Sequence, residues 1–280
     1  DAYNVAVGHQ AGLAVTTGIQ NTVVGGRALQ ANTVGLGNVA LGYQAMYTNV
    51  DGSKCVAIGT NALLAQEPAS ALDMYNVAIG YNAGAAVTTG VENTIMGGLA
   101  GDALTTGQRN TAIGTYALSA DTTGQYSVAI GRGALATQNF TGGEVSYNVA
   151  VGYDAGNDIT TGTMNTLMGA LTGDALTTGS RNTAIGIGAL GEEDTGGRNT
   201  AFGYAALGTL NFDGDGYNTA VGYDAGVAIT TGVNNTIMGS LAGDALTTGT
   251  NNVALGYGAL GTEDTGGQNV AIGVNALTTL

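Results

Sequence analysis

Apolar and polar residues alternate in short bursts along this chain, and the bursts return at a fixed interval. Asn-Val-Ala-Val-Gly, read from Asn4, opens a unit that recurs sixteen times, starting at residues 4, 21, 38, 55, 76, 93, 110, 127, 148, 165, 182, 199, 218, 235, 252 and 269. Twelve of the fifteen intervals are 17 residues long, two are 21 and one is 19. Within each burst the period is two, which is strand periodicity. In residues 110–114, one parity carries Thr111 and Ile113 and the other carries Asn110, Ala112 and Gly114. Glycine, threonine and asparagine at this density disfavour helices. A strand this short cannot bury a face alone, but units stacked in register bury a continuous column and pair each backbone group with the coil before and after. The pattern therefore predicts an all-β fold, a parallel β-solenoid of sixteen coils of about 17 residues. Each coil would hold two short strands and two corners, around a core column of Ile, Val and Met.

Several columns of the unit are nearly invariant within the chain. The first position is Asn in fourteen of sixteen units, Cys55 and Ser127 being the exceptions, and the fifth is Gly in all sixteen. The eighth is Ala except at Thr172, and the fifteenth is Gly in every 17-residue unit, usually after a Thr-Thr pair such as Thr88-Thr89. The Asn and Gly columns, exemplified by Asn4, Gly8, Asn76, Gly80, Asn148, Gly152, Asn218 and Gly222, read as structural repeat positions at corners that need a positive φ. The column of Ala and Gly on the second face has two readings. It lines a tight turn, or it lets another chain approach closely in a side-by-side oligomer.

A second period lies on top of the first. Every fourth unit opens on Tyr-Asn, at Tyr3-Asn4, Tyr75-Asn76, Tyr147-Asn148 and Tyr217-Asn218, and the long intervals all fall in the fourth unit. The chain thus reads as a single solenoid domain over 1–280, made of four-coil blocks 4–75, 76–147, 148–217 and 218–280. The extra residues near Glu67–Met74, Phe140–Val145 and Asn211–Gly216 predict one side loop per block.

Composition removes several classes of function. Twenty acids against six bases give a net charge of −14, which repels phosphate backbones and anionic lipid and so argues against nucleic-acid partners and polybasic membrane docking. No apolar stretch is long enough for a membrane-inserted helix. One Cys cannot close an intrachain disulfide and one His cannot build a His-rich site. Hydrophobic residues make up 44% of the chain and mean hydropathy is +0.17, too apolar for intrinsic disorder. The chain opens at Asp1 without an initiator Met and stops in mid-coil at Leu280. Uncapped solenoid ends are open templates, so the expectation is either a window cut from a longer array or end-to-end stacking into a filament.

Asn-Thr-Ala-Ile-Gly with Ala three positions later and Thr-Thr-Gly before the next copy resembles the head repeats of trimeric autotransporter adhesins, a left-handed β-roll. It is also similar to the Asn-Thr-Ala-Ile-Gly arrays of bacteriophage tail fibres and large bacterial surface proteins. The resemblance spans all sixteen units, although those heads have about 14 residues per coil, not 17. It implies a left-handed β-roll, an extracellular or virion-borne fibre, often a homotrimer, that holds a binding tip away from a surface.

Individual side chains add candidates. Tyr43, Tyr81, Tyr153, Tyr204, Tyr223 and Tyr257 share the sixth position, with His9 in the same column. Aromatic faces suit sugar rings, so this column is the candidate surface-binding feature, for a cell-surface glycan or receptor, or else packing at a strand end. Cys55 reads as a structural thiol, since no His pairs with it to make a nucleophile. Asp213-Gly214-Asp215-Gly216 resembles a calcium loop superficially but lacks the downstream bidentate Glu. Asp102, Asp174 and Asp244 recur four coils apart, too far to share a metal. The Thr-Thr ladder raises ice binding as a minor reading. The sequence therefore points to a structural extracellular fibre segment with no catalysis, no metal and no cofactor. A carbohydrate- or host-surface-binding module is the alternative.

Overall fold

A computed structural model describes residues 2–262 and 264–278. Asp1 and Leu280, between which end-to-end stacking would form, lie outside the described residues. The chain divides into two compact units, Asp1–Ser146 and Tyr147–Leu280, and the division falls where the third block begins. Coils are numbered 1–16 below in the order of the sixteen starting residues.

Each unit is a parallel β-solenoid of eight coils, without a helix among the described residues. In the first, strands Val5–Val7, Thr22–Val24, Val39–Leu41, Val56–Ile58, Val77–Ile79, Thr94–Met96, Thr111–Ile113 and Val128–Ile130 follow one another in a parallel sheet. In the second the series runs from Val149–Val151 through Thr166–Met168, Thr183–Ile185, Thr200–Phe202, Thr219–Val221, Thr236–Met238 and Val253–Leu255 to Val270–Ile272. Registers are those of the sequence repeat: Thr94 faces Thr111 and Val253 faces Val270.

One three-residue strand forms per coil, and among the described residues a second strand, of two residues, forms in coils 3 and 4 alone, at Gly52–Ser53 and Leu72–Asp73. The far side of each coil carries left-handed residues at the seventh and ninth positions, such as Gln44 (φ 56°) and Met46 (φ 51°) in coil 3 or Tyr116 (φ 60°) and Leu118 (φ 54°) in coil 7, so it cannot extend. It is still bonded coil to coil: the Gly12 amide donates to Ala28 O and the Leu29 amide to Ala45 O. The positive-φ corners therefore fall on bulky residues as well as on Gly. The strain of roughly 1–3 kcal/mol per such residue is tolerated because coil-to-coil bonds determine the backbone on both sides.

The core is the opposite parity from the one the alternation suggests. Ala112 is fully buried while Thr111 and Ile113 on either side of it are only half-buried, and the third position is buried in every coil of both units except the first, whose strand Val5–Val7 is exposed throughout. The expected core column of Ile, Val and Met lies on the outer face, where Met168, Phe202 and Ile272 are exposed. The correction has a steric cause. A coil of 17 residues encloses a narrow interior, which accepts Asn at the first position and, in most coils, Ala at the third, but has no room for a β-branched column from every rung. The Ala and Gly face, read as a possible approach surface for another chain, is interior; Ala45, Ala117, Ala189 and Ala259 of the eighth-position column are fully buried, so no second chain reaches them.

Larger core side chains come from the third position in some coils, as at Ile95, Leu167 and Ile237, and from the ninth and twelfth positions, which alternate in most coils although coil 12 buries both Leu207 and Leu210. Where the ninth is Gly, as at Gly101, Gly173 and Gly243, the twelfth is a buried Leu104, Leu176 or Leu246. Where the ninth is Leu118, Leu135 or Leu190, the twelfth is a buried polar residue, Asp121, Gln138 or Glu193. A Cβ on Gly101 would stand 3.0 Å from Leu104 Cδ1, so the two positions share one volume.

Two glycine columns are required by close approach. At the fifth position, Gly222 has φ +143° and a Cβ there would lie 2.6 Å from Gly239 O of the next coil. At the fifteenth, φ is ordinary, but a Cβ on Gly232 would lie 2.5 Å from Gly249 O.

The long fourth units of the first three blocks form the expected side loops, and each loop is tied back to the preceding coil. Gly52–Ser53 pairs with Leu72–Asp73, Gln125 bridges Val145, and Gly197 bridges Asp215. Met74, Phe140 and Leu210 anchor these loops in the interior.

Candidate functional site

The first-position Asn column supplies the dominant side-chain chemistry, and it runs inside the molecule. Asn165 is fully buried. Its Oδ1 accepts the Asn182 amide of the next coil at 2.9 Å, and its Nδ2 donates to Gly179 O of its own coil at 2.9 Å. Asn21, Asn38, Asn93, Asn218 and Asn235 repeat both bonds. Asn4, Asn76 and Asn148 begin the same ladder toward Asn21, Asn93 and Asn165. These asparagines are therefore internal rungs and not corner residues, and the Asn–Gly pairing of first and fifteenth positions is one hydrogen bond.

Where Asn is missing, the twelfth position compensates. Beside Cys55, Gln66 Nε2 reaches the thiol at 3.3 Å and Oε1 accepts from Asn76 Nδ2 at 3.1 Å. Beside Ser127, Gln138 Nε2 donates to the hydroxyl at 2.8 Å, and Ser127 meets Ser146 at 2.5 Å. Coil 12 keeps Asn199 and has Leu210 instead of Gln. Cys55 is buried and free, and burial pushes its thiol up to about 11, so it stays protonated and unreactive at neutral pH.

On the outer surface the sixth-position tyrosines stand where the spacing places them. Tyr43, Tyr81, Tyr153, Tyr204, Tyr223 and Tyr257 are between 50% and 58% exposed, and Gly8, Gly80, Gly152 and Gly222 turn the chain directly before the column. Tyr204 and Tyr223, on consecutive coils, stack with centroids 5.3 Å apart and planes 11° apart. Each of these two rings thus covers one face of the other. His9 is exposed at the head of the column.

A second aromatic feature was not anticipated. The residue before the first position of each coil is a left-handed position that holds four of the six cations, Lys54, Arg109, Arg181 and Arg198, and the block-opening tyrosines. Lys54 pairs with Asp73 at 2.6 Å and lies 5.3 Å from the centre of the Tyr75 ring. Arg109 does the same with Glu92 and Tyr126, and Arg198 with Asp215 and Tyr217. Asp73 holds Lys54 above its ordinary pKa and is itself held below the carboxylate range. The sequence signal was available in the Tyr-Asn period, but only the coil spacing brings cation, ring and acid together.

No protein-family model matches this chain. A search of characterised proteins likewise finds no significant relative.

The remaining candidates are engaged within the chain. Asp215 is tied to Arg198 and accepts from the Tyr217 hydroxyl at 3.2 Å, while Asp213 accepts from Thr195 at 2.7 Å, so the calcium-like loop has its carboxylates on protein partners. Asp102, Asp174 and Asp244 are half-buried, and desolvation raises each of them. Asp174 also feels Asp158 and Asp154 of the coil before it, a grouping that a count of coils between identical residues misses. Among the described residues no three His, Cys, Asp or Glu side chains are placed to hold a metal ion, and no helix is long and apolar enough to cross a membrane. In the Thr-Thr pairs, the first hydroxyl bonds the next coil: Thr105 Oγ1 donates to Thr122 O at 2.9 Å and Thr177 Oγ1 to Asp194 O at 3.1 Å. In these two pairs the second Thr, Thr106 or Thr178, is exposed and the first is half-buried, while at Thr16-Thr17, Thr160-Thr161 and Thr230-Thr231 both are exposed.

Proposed function

We propose that this chain is a structural segment of an extracellular fibre, on a cell surface or a virion, that spaces or presents a receptor-binding region without catalysis. The observation that carries the reading is the buried Asn ladder. Its recurrent polar groups serve cohesion along the stacking direction, rung after rung, and leave none of that chemistry to act on a ligand. Stacked units in which every rung bonds its neighbours resist bending and stretching, which is what a spacer needs. The partner of such a segment is itself, as a side-by-side homotrimer or an end-to-end filament. A side-by-side contact cannot use the Ala column, which is interior, and the outer Thr/Val and Ile/Met face is the apolar surface that remains for it.

A carbohydrate- or host-surface-binding module is the second reading, favoured by the six half-exposed tyrosines in one register. Glycan-array binding of the chain separates the two. The spacer reading expects no retained glycan. Retention that disappears on Tyr81→Ala and Tyr153→Ala would replace it with the binding reading.

A further inference from the structure

We infer that coil 11 is a pH-gated joint: with Glu193 protonated the corner at residues 191–197 is closed, and ionisation of that carboxyl releases the corner together with the loop at 211–216. Glu193 sits at the twelfth position and is fully buried. The same position in the flanking coils is Leu176 and Leu210, both fully buried. Its Oε1 accepts the Gly196 amide at 2.7 Å, while Oε2 is buried without a hydrogen-bond partner. An ionised carboxylate with an unsatisfied oxygen in such a place carries a desolvation cost that protonation removes.

The molecule contains its own comparison. Asp121 holds the equivalent position in coil 7, but there the next coil supplies Gln138, whose Nε2 donates to Oδ2 at 2.7 Å, and the Gly124 and Phe140 amides donate to Oδ1 at 3.0 and 3.1 Å. In coil 12 Leu210 stands where Gln138 stands in coil 8. With Leu210 in the place of that Gln, Oε2 of Glu193 has no counterpart of the side-chain donor that serves Oδ2 of Asp121.

Burial pushes the Glu193 carboxyl up to about 7, with the charge of Asp194 adding to the rise and the amides of Gly196, Phe212 and Asp194 opposing it. The other charges of these coils are Glu192, Asp174 and Asp213, all acids, and the exposed cations Arg181 and Arg198, the latter paired with Asp215. The folded corner holds its proton more tightly than the open one. Its stability is therefore complete below the ordinary value near 4.5 and is lost as pH rises toward 7. What opens is defined by the bonds around the acid. Gly197 donates to Gly214 O and Gly216 donates to Gly197 O, both at 2.9 Å, and Thr177 donates to Asp194 O at 2.7 Å.

Hydrogen exchange of the whole chain, followed by mass spectrometry between pH 5 and 9 and corrected for the intrinsic pH dependence of exchange, tests this. Protection of residues 191–197 should fall by about tenfold or more across the range, while the equivalent residues 119–125 of coil 7 change less. Glu193→Gln, or Glu193→Leu if the amide variant fails to fold, should make coil 11 insensitive to pH. Protection of coil 11 that is flat with pH in the wild type, that falls no more than in coil 7, or that falls equally in the folded variants, would overturn the proposal.

Discussion

At the scale of the residue, the buried amide of each Asn does two jobs that no other side chain of its size can do together. It accepts a backbone N–H from the following coil and donates to a carbonyl of its own. Asn165→Ala removes both partners and strands the Asn182 amide and the Gly179 carbonyl in the interior. The expected cost is about 2–4 kcal/mol, since each buried orphan costs about 1–3 kcal/mol, and denaturant unfolding of the variant measures it. The exceptions to the column make a finer test. Gln66 bonds Cys55 and Asn76, whereas coil 12 pairs Asn199 with Leu210. Cys55→Asn alone and Gln66→Leu alone should each destabilise, and the double change should recover about 1 kcal/mol or more of their sum, a coupling that a double-mutant cycle reads directly. Asn and Gly recurring fourteen residues apart were legible as a pair of columns. Their joining by a hydrogen bond was not, because it depends on the first and fifteenth residues of one coil closing on each other.

At the scale of the coil, the interior is filled by a shared allocation of volume. Leu104→Ala in coil 6 should cost about 2–5 kcal/mol. Gly101→Leu alone should also destabilise, by about 1–3 kcal/mol, because its side chain would enter space held by Leu104 and Ile95. Combined, the two changes reproduce the Leu-bearing ninth position of coil 7, and the double variant should melt above the Leu104→Ala single variant in a thermal scan. The fold class, the coil length and the in-register stacking were all readable from the repeat. The facing of the strand was misread because a column of Ile, Val and Met was taken to mark the inside. The better signal was the constancy of the first and fifth positions, Asn or a small substitute and always Gly, against the fourth position, where Ile113 stands and Ile, Val, Leu, Met and Phe all occur. A packed interior restricts size and polarity, and an outer face does not.

At the scale of the whole molecule, two surface properties pull in opposite directions. A net charge of −14 keeps copies apart, and screening weakens it within about 10 Å at ordinary ionic strength. The outer sheet face presents Phe202, Met238 and Leu255, all exposed, in consecutive or near-consecutive coils, which is the kind of apolar stripe that marks an association surface. If the chain assembles side by side, sedimentation should show an oligomer, and Phe202→Lys, Val221→Lys and Met238→Lys together should return it to single chains with the far-UV circular dichroism unchanged. An oligomer that survives the triple change would place the interface elsewhere.

Sequence alone determined the coil, its length, its number of copies and the block of four, because a repeat in residues becomes a repeat in space once each unit must stack to bury anything. It also placed the side loops and the tyrosine column, which follow from counting. Tertiary structure decided which parity faces inward, that the asparagines are rungs, that Cys55 and Ser127 are rescued by glutamines of their own coils, and that Glu193 lacks the donor Asp121 has. Each of these depends on distances between residues of different positions in the coil or of successive coils. Such distances are set by how tightly seventeen residues can close, and no column of the repeat records them.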